Sequence, residues 1–247
     1  MHRFYVPDLP EQGHPAPLPP EEAQHLLRVL RLATGDAIRV FDGRGREHLA
    51  RVEALTKSDA VIRVGAPVPA AAEARVSLTL AQALLKGDKF DEVVRDATML
   101  GVARIQPLLT ARCEVPRARS GDTGRVDRWH RVAVSSAKQC GRAVVPDVLP
   151  VASLEEFLAE SGAACIVMLA EPALASAASR ELAPWRRAQP PESASLLIGP
   201  EGGWADEEHA LAERHQASML TLGTRTLRAE RAALVALTVL LCESGDL

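Results

Sequence analysis

Four charged side chains stand in two stretches that otherwise offer a ligand little except backbone. Glu201 lies in Ile198-Gly199-Pro200-Glu201-Gly202-Gly203, and Arg225, Arg228 and Glu230 lie in Gly223-Thr224-Arg225-Thr226-Leu227-Arg228-Ala229-Glu230. A carboxylate can take a proton or orient a polar ligand, and a fixed guanidinium can stabilise charge that develops during a reaction. The glycines let amides and carbonyls approach a bound molecule closely. Each stretch follows an apolar run, Ser195–Ile198 and Leu220–Leu222, that reads as a strand. Loops at the carboxyl ends of strands are where open α/β sheets bind their ligands.

The pattern excludes several ligand classes. No Gly-x-Gly-x-x-Gly opens a helix and no Gly-Lys-Ser/Thr is present, so dinucleotide and phosphate-loop chemistry lack their fingerprints. The Gly199–Gly203 loop has no cation for phosphates and carries Glu201. Such a loop suits a ligand with an adenine, a ribose and a positive centre, as S-adenosylmethionine has. A Gly-rich turn with no ligand is the open alternative. Cys113, Cys140, Cys165 and Cys242 are scattered, with no Cys-x-x-Cys and no His at ligand spacing, so neither a metal site nor a disulfide framework is expected. Met1–Gln12 has no apolar run for a signal peptide, and Ala232–Cys242 is too short to span a bilayer. The expectation is a soluble cytoplasmic protein without membrane contact.

The elements that must position these residues fall in two parts. Residues 1–70 read as a small β-rich unit: a proline-marked start, a helix over Glu21–Leu32 with Leu26, Leu27, Val29 and Leu30 on its apolar side, then strands at Ala37–Phe41, His48–Glu53 and Ala60–Val64. Tight turns between short strands make a small barrel plausible. Pro67–Ala74 reads as a linker, and the pattern then alternates. Strands are expected at Val76–Ala83, Ala103–Leu109 and Ala164–Ala170, and helices at Lys89–Leu100, Asp127–Cys140 and Leu154–Glu160 with Ser153 as cap. Alanine-rich helix to about Ala183, a helix over Asp206–Gln216 and a closing helix over Thr226–Glu243 complete the pattern. Alternation of this kind predicts a largely parallel sheet with helices on both faces.

Apolar residues make up 47% of the 247, enough for a core, whereas aromatics at 3% are too few for a base-stacking platform. The net charge of −3 is unevenly spread. Residues 71–145 hold 13 basic side chains against 8 acidic ones, whereas residues 146–247 hold 7 against 15. Arg112, Arg117, Arg119, Arg125, Arg128 and Arg131 form the basic cluster, which suits either a polyanion contact or a solvated surface.

The two loops, with Glu207/Glu208 after the first and Leu222-Gly223-x-Arg225-x-Leu227-Arg228-x-Glu230 as the second, resemble the ribosomal small-subunit RNA uridine-N3 methyltransferases of the SPOUT superfamily. Matching pieces run in order over nearly the whole chain. They are Arg3-Phe4-Tyr5, His25 through Val29-Leu30-Arg31, Gly35-Asp36, Phe41-Asp42-Gly43, Lys86–Lys89, Leu100-Gly101-Val102, Gln139–Arg142 with Pro146, and Gly245-Asp246-Leu247. Departures are Thr226 for the usual Ile, Arg231 for the usual Thr, and Lys138 before Gln139. An Arg231 pointing into the site would alter substrate handling.

The resemblance implies an α/β protein: an N-terminal PUA-like RNA-binding β-barrel over 1–70 and a C-terminal SPOUT methyltransferase domain over 75–247 with a trefoil knot. It implies S-adenosylmethionine held by Leu169, Glu171, Ile198, Gly199, Pro200, Glu201, Gly202, Gly203, Leu222, Gly223 and Leu227. Chemistry would fall to Arg228, Glu201 and Glu230, with RNA contacts from Arg3, Arg28, Arg31, Gln139 and Arg142. Partners would be 16S ribosomal RNA of the small subunit and a second copy in a homodimer, with no metal. Removing the uridine imino proton leaves charge on O2 and O4, which Arg228 or Arg225 would stabilise. Glu201 and Glu230 are both candidates for that proton. N3 lies on the pairing edge, so the base must be unpaired or flipped out. Structural readings stay open beside these: helix-dipole stabilisation by Glu230, ion pairing of Arg225 and Arg228, and a helix C-terminus for Gln139 and Arg142. Ribose 2′-O-methylation by the same fold and a non-catalytic ribosome-assembly factor are the alternative functions.

Overall fold

A computed structural model describes residues 1–115, 123–171 and 190–247. The expected alanine-rich helix toward Ala183, with Arg117 and Arg119, lies outside them. The chain divides into two compact units, Met1–Glu73 with Val134–Val145, and Ala74–Ala133 with Pro146–Leu247.

The first unit is a five-stranded sheet built from β1 (Arg3–Tyr5), β2 (Pro15–Pro17), β3 (Ala37–Phe41), β4 (Glu47–Leu55) and β5 (Ala60–Pro67). The order is β1-β3-β4-β5-β2, so β1 and β2 form the edges and no ladder among the described residues joins them into a closed ring. Alternation in β4 and β5 sends Ala50, Val52, Ile62 and Val64 inward, where they meet Phe4, Leu26 and Ile38. The expected single helix over Glu21–Leu32 is instead a short α1 (Pro20–Gln24) that widens into a π-helical turn, His25–Leu30, and stops at a left-handed Arg31. Widening a turn shifts which residues share a face. Leu26 is therefore buried in the core, while Val29, expected on the apolar side, is 70% exposed.

Arg3 organises this unit. Its Nε and one terminal nitrogen donate to the two Glu47 carboxylate oxygens at 3.1 and 2.9 Å. The remaining N–H groups go to the carbonyls of Ala137, Lys138 and Arg142, at 2.8, 3.1 and 3.0 Å. All five guanidinium donors are thus used. Glu47 is buried, with its side chain 3% exposed. Arg39 also reaches Glu47, at 3.5 Å, so losing Arg3 leaves that buried carboxylate one weaker partner and removes a donor from each of three carbonyls. Arg3→Met is therefore expected to destabilise by about 3 kcal/mol in urea unfolding, the low end of the range for breaking a buried pair. Lys138 pairs with Glu22 at 2.7 Å, and the buried Arg142 pairs with Glu73.

The second unit carries a wholly parallel sheet. Its strands are β6 (Ser77–Ala83), β7 (Arg104–Leu109), β8 (Asp147–Val148), β9 (Ala152–Ser153), β10 (Cys165–Leu169), β11 (Ser193–Ile198) and β12 (Ser218–Leu220). The order is β12-β10-β11-β6-β7-β8, with β9 also on β7. The near-continuous apolar runs of β10 and β11 are what a parallel strand covered on both faces requires. Helices α2 (Lys89–Met99), α3 (Thr123–Cys140), α4 (Leu154–Glu160), α5 (Asp206–Arg214) and α6 (Ala229–Ser244) accompany it, the end of α3 clustering with the first unit.

Helix starts follow local chemistry. Ser153 accepts from the Glu156 amide at 3.1 Å while the Glu156 carboxylate accepts from the Ser153 amide at 2.8 Å, a complete capping box. The last helix begins at Ala229, not at Thr226 as expected, so Thr226, Leu227 and Arg228 remain in the loop. β12 likewise ends at Leu220, two residues earlier than expected. No helix of the described residues is long and apolar enough to cross a membrane.

Candidate active site

Parallel pairing brings the carboxyl ends of β11, β10 and β12 to one edge of the sheet. The chain steps from β10 to β11 on one side, then returns to place β12 on the other side of β10. A reversal of that kind opens a crevice at the strand ends. A cavity of about 390 Å³ occupies it, walled by the loops after all three strands, the first turn of α6 and Lys89 at the start of α2. Of the expected residues, Leu169, Glu171, Ile198, Gly199, Pro200, Glu201, Gly203, Leu222, Leu227, Arg228 and Glu230 line it together. Gly202 and Gly223 are not among the lining residues. Gly202 sits against Arg112, which donates to its carbonyl at 3.3 Å, and Gly223 stands at a left-handed φ of 74° with open space beside it.

Close packing accounts for two of the glycines. Gly203 has φ of 70°, and a Cβ there would fall 2.1 Å from Glu171 Oε1. At Gly199 a Cβ would stand 3.2 Å from the Trp204 indole. Trp204, 2% exposed, donates from Nε1 to the Leu169 carbonyl at 3.0 Å. It therefore ties the loop after β11 to the loop after β10. Gln82 at the end of β6 adds a 3.4 Å hydrogen bond to the Gly199 carbonyl.

The charges in the cavity are not equivalent. Glu201 Oε1 receives Lys89 Nζ at 2.8 Å and the Lys86 amide at 3.4 Å. Burial alone would push the Glu201 carboxyl up, but the Lys89 ammonium and the amides of Glu201 and Lys86 outweigh it and hold the carboxyl below its usual range. The Glu201 partner in turn raises Lys89 above the ordinary lysine value. A carboxyl lowered in the folded state stabilises above its unfolded value and loses that contribution as pH falls through the folded one. The Lys89–Glu201 tie is therefore expected to weaken only on acidification below the ordinary glutamate range. NMR titration of the Glu201 carboxyl checks this, and Lys89→Met should move its midpoint upward.

Glu230, in the first turn of α6, is 6% exposed, and its buried Oε2 has no hydrogen-bond partner among the described residues. Arg225 and Arg228 also line the cavity, both exposed, and among the described residues neither has an ion-pair partner. Arg231 points elsewhere: it pairs with Glu92 at 2.9 Å and Asp96 at 3.8 Å, joining α6 to α2. Thr226, the other departure, lines the cavity. Sequence reasoning missed Lys89 as a cavity residue and treated Trp204 mainly as packing. A lysine opening a helix that directly follows a strand-end loop was the available signal for Lys89.

The five expected RNA contacts all lie in the first unit, Gln139 and Arg142 through the Val134–Val145 segment. Arg28, Arg31 and Gln139 are exposed, whereas Arg3 and Arg142 are engaged in the hydrogen bonds and ion pair described above. No group of three or more His, Cys, Asp or Glu side chains suited to a metal ion occurs among the described residues.

Fold and site together are those of an α/β protein that holds a small ligand at the carboxyl ends of its parallel strands. The family model described as RNA methyltransferase domain matches residues 72–241, and that described as RNA methyltransferase PUA domain matches residues 18–65. Relatives include ribosomal RNA small subunit methyltransferase E of Synechocystis sp., 33% identical over 87% of this chain and 69% of that protein. The Mycobacterium bovis protein of the same name is 32% identical over 95% of this chain and 88% of its own length. Among solved structures, a Legionella pneumophila methyltransferase in complex with bound SAM superposes with TM-score 0.88 at 33% identity, covering 97% of this chain and 96% of the other. Ribosomal RNA small subunit methyltransferase E from Neisseria gonorrhoeae, bound to S-adenosyl methionine, gives 0.86 at 31%, covering 98% and 97%. The chain belongs to the RNA methyltransferase family, with the small-subunit ribosomal RNA methyltransferases E.

Proposed function

We propose that this protein is an S-adenosylmethionine-dependent methyltransferase that modifies N3 of one uridine in 16S ribosomal RNA of the small subunit. The observation that carries the reading is the single cavity on which three strand-end loops converge, with Arg228 and Glu230 on its wall. Two relatives of similar fold are solved with this cofactor. The residues fit it on their own terms. A volume of about 390 Å³ lies in the range of cofactor pockets. Leu169, Ile198, Leu222 and Leu227 offer apolar surface for an adenine, and Glu171 offers acceptors for ribose hydroxyls or a cationic centre.

When bound, the cofactor supplies an electrophilic methyl carbon, so the protein's task is to orient two reactants and free N3 of its proton. Trp204 and the glycines shape the wall, and Arg228 faces the charge that spreads onto O2 and O4 of the base. RNA binding is assigned to the PUA-like part, 1–70, through Arg28 and Arg31, helped by Gln139; Arg3 and Arg142 hold the scaffold. Catalysis is assigned to 75–247, threaded as a SPOUT trefoil knot and acting as a homodimer in the cytoplasm.

The test is transfer of radiolabelled methyl from S-adenosylmethionine to small subunits lacking the modification, followed by nucleoside analysis. Label in 3-methyluridine is the expected result. Label in a 2′-O-methyl nucleoside overturns the N3 assignment, and cofactor binding without transfer to subunits or naked RNA overturns the enzymatic one.

A further inference from the structure

N3 methylation needs a group that removes the imino proton, and among the described residues three carboxylates line the cavity: Glu171, Glu201 and Glu230. Their surroundings separate them. Glu171 is exposed and lies over Gly203. Glu201 is committed to Lys89 at 2.8 Å. Glu230 is more than nine-tenths buried, and among the described residues its Oε2 has no donor. A buried carboxylate oxygen left without a donor is costly, and such sites persist where a ligand completes them.

Resting on the function proposed above, we infer that Glu230 is the proton acceptor for the N3–H of the target base, and that Lys89 keeps Glu201 out of this role. Arg228 lies two positions before Glu230 and lines the same cavity. The group that takes the proton and the group that stabilises the resulting charge thus come from one short segment. In the step, the N3–H bond breaks and its proton passes to the Glu230 carboxylate. The N3 electron pair forms the bond to the methyl carbon while the pair of the breaking C–S bond stays on sulfur. Carboxylate and sulfonium are both neutralised, and the carboxylic acid then releases its proton to water. The same residue selects the base. Uracil presents N–H at position 3 whereas cytosine presents a lone pair, and a site built to receive a hydrogen bond strongly rejects an analogue that lacks the donor.

The experiment compares Glu230→Gln and Glu201→Gln in single-turnover methylation of small subunits across pH. Target RNA is made with uridine or with the more acidic 5-fluorouridine, and S-adenosylmethionine affinity is measured by calorimetry. Glu230→Gln is expected to slow methylation by about 10²–10⁴-fold while leaving cofactor affinity within a few-fold. Its rate should rise with pH as the base ionises unaided, and 5-fluorouridine should restore much of it. Glu201→Gln should keep the wild-type pH profile. Glu230→Asp, which retains an acceptor, should keep a measurable rate and the wild-type pH slope, so a folding defect is distinguishable from loss of the acceptor.

The assignment is overturned if Glu230→Gln weakens cofactor binding as much as it slows transfer, or gains neither pH nor 5-fluorouridine rescue. It is equally overturned if rescue appears in Glu201→Gln instead. Nucleoside analysis of the wild-type product tests the parent reading separately, since label outside 3-methyluridine removes that reading whatever the variants do.

Discussion

Arg228→Ala is expected to lower kcat for methyl transfer by about 10²–10³-fold, the usual loss when one preorganised stabiliser of developing charge is removed. The reason is positional. Arg228 lies immediately before α6, exposed on the cavity wall, and among the described residues no carboxylate neutralises it. A cation without an internal partner is available to a charge that appears during the reaction. Because the side chain is exposed, stability should change by no more than about 0.5 kcal/mol, and calorimetric S-adenosylmethionine affinity should change far less than kcat. A loss carried in affinity with kcat intact would make Arg228 a cofactor-holding residue. Arg228→Lys tests geometry, since a point charge cannot reproduce the planar fork and should recover only part of the rate.

Trp204→Ala is expected to destabilise the protein by about 3–5 kcal/mol, the range for emptying a buried aromatic site, and to abolish measurable cofactor binding. Trp204 is 2% exposed within a core cluster that includes Leu154, Leu158, Met168 and Leu197. Its ring also backs Gly199, and its Nε1 holds the Leu169 carbonyl, so its removal loosens two of the three cavity loops at once. Thermal unfolding and calorimetry read the two effects. Trp204→Phe separates them, because it keeps most of the packing and leaves one carbonyl without its donor, at about 1–3 kcal/mol. Full cofactor affinity in the alanine variant would show that the loops hold their shape without the indole.

Much of the architecture was legible from local pattern. Strand ladders at Ala37–Phe41 and Cys165–Leu169 and the Ser153 cap follow from period-2 burial, apolar runs and side-chain capping, all short-range properties. The π-helical turn after Gln24 was not legible, because a shift in helical pitch leaves the hydrophobic spacing nearly unchanged while moving Val29 into solvent. The late start of α6 was hidden for a similar reason: Thr226 and Leu227 are acceptable helix residues, and the cavity loop decides otherwise.

Local spacing was enough to single out two glycine-bearing loops and the charged residues they carry, since glycine at a strand end and charge beside it are written into neighbouring positions. Tertiary structure alone decided how those charges are used. Lys89 and Glu201 are 112 residues apart in sequence, and only the fold pairs them, leaving Glu230 buried with an oxygen that has no partner among the described residues. Arg3 and Ala137 are 134 apart, and only the fold turns that arginine into a clamp on carbonyls. Whether a charge is free or committed depends on which groups come within hydrogen-bonding distance, and that is set by packing between elements remote along the chain.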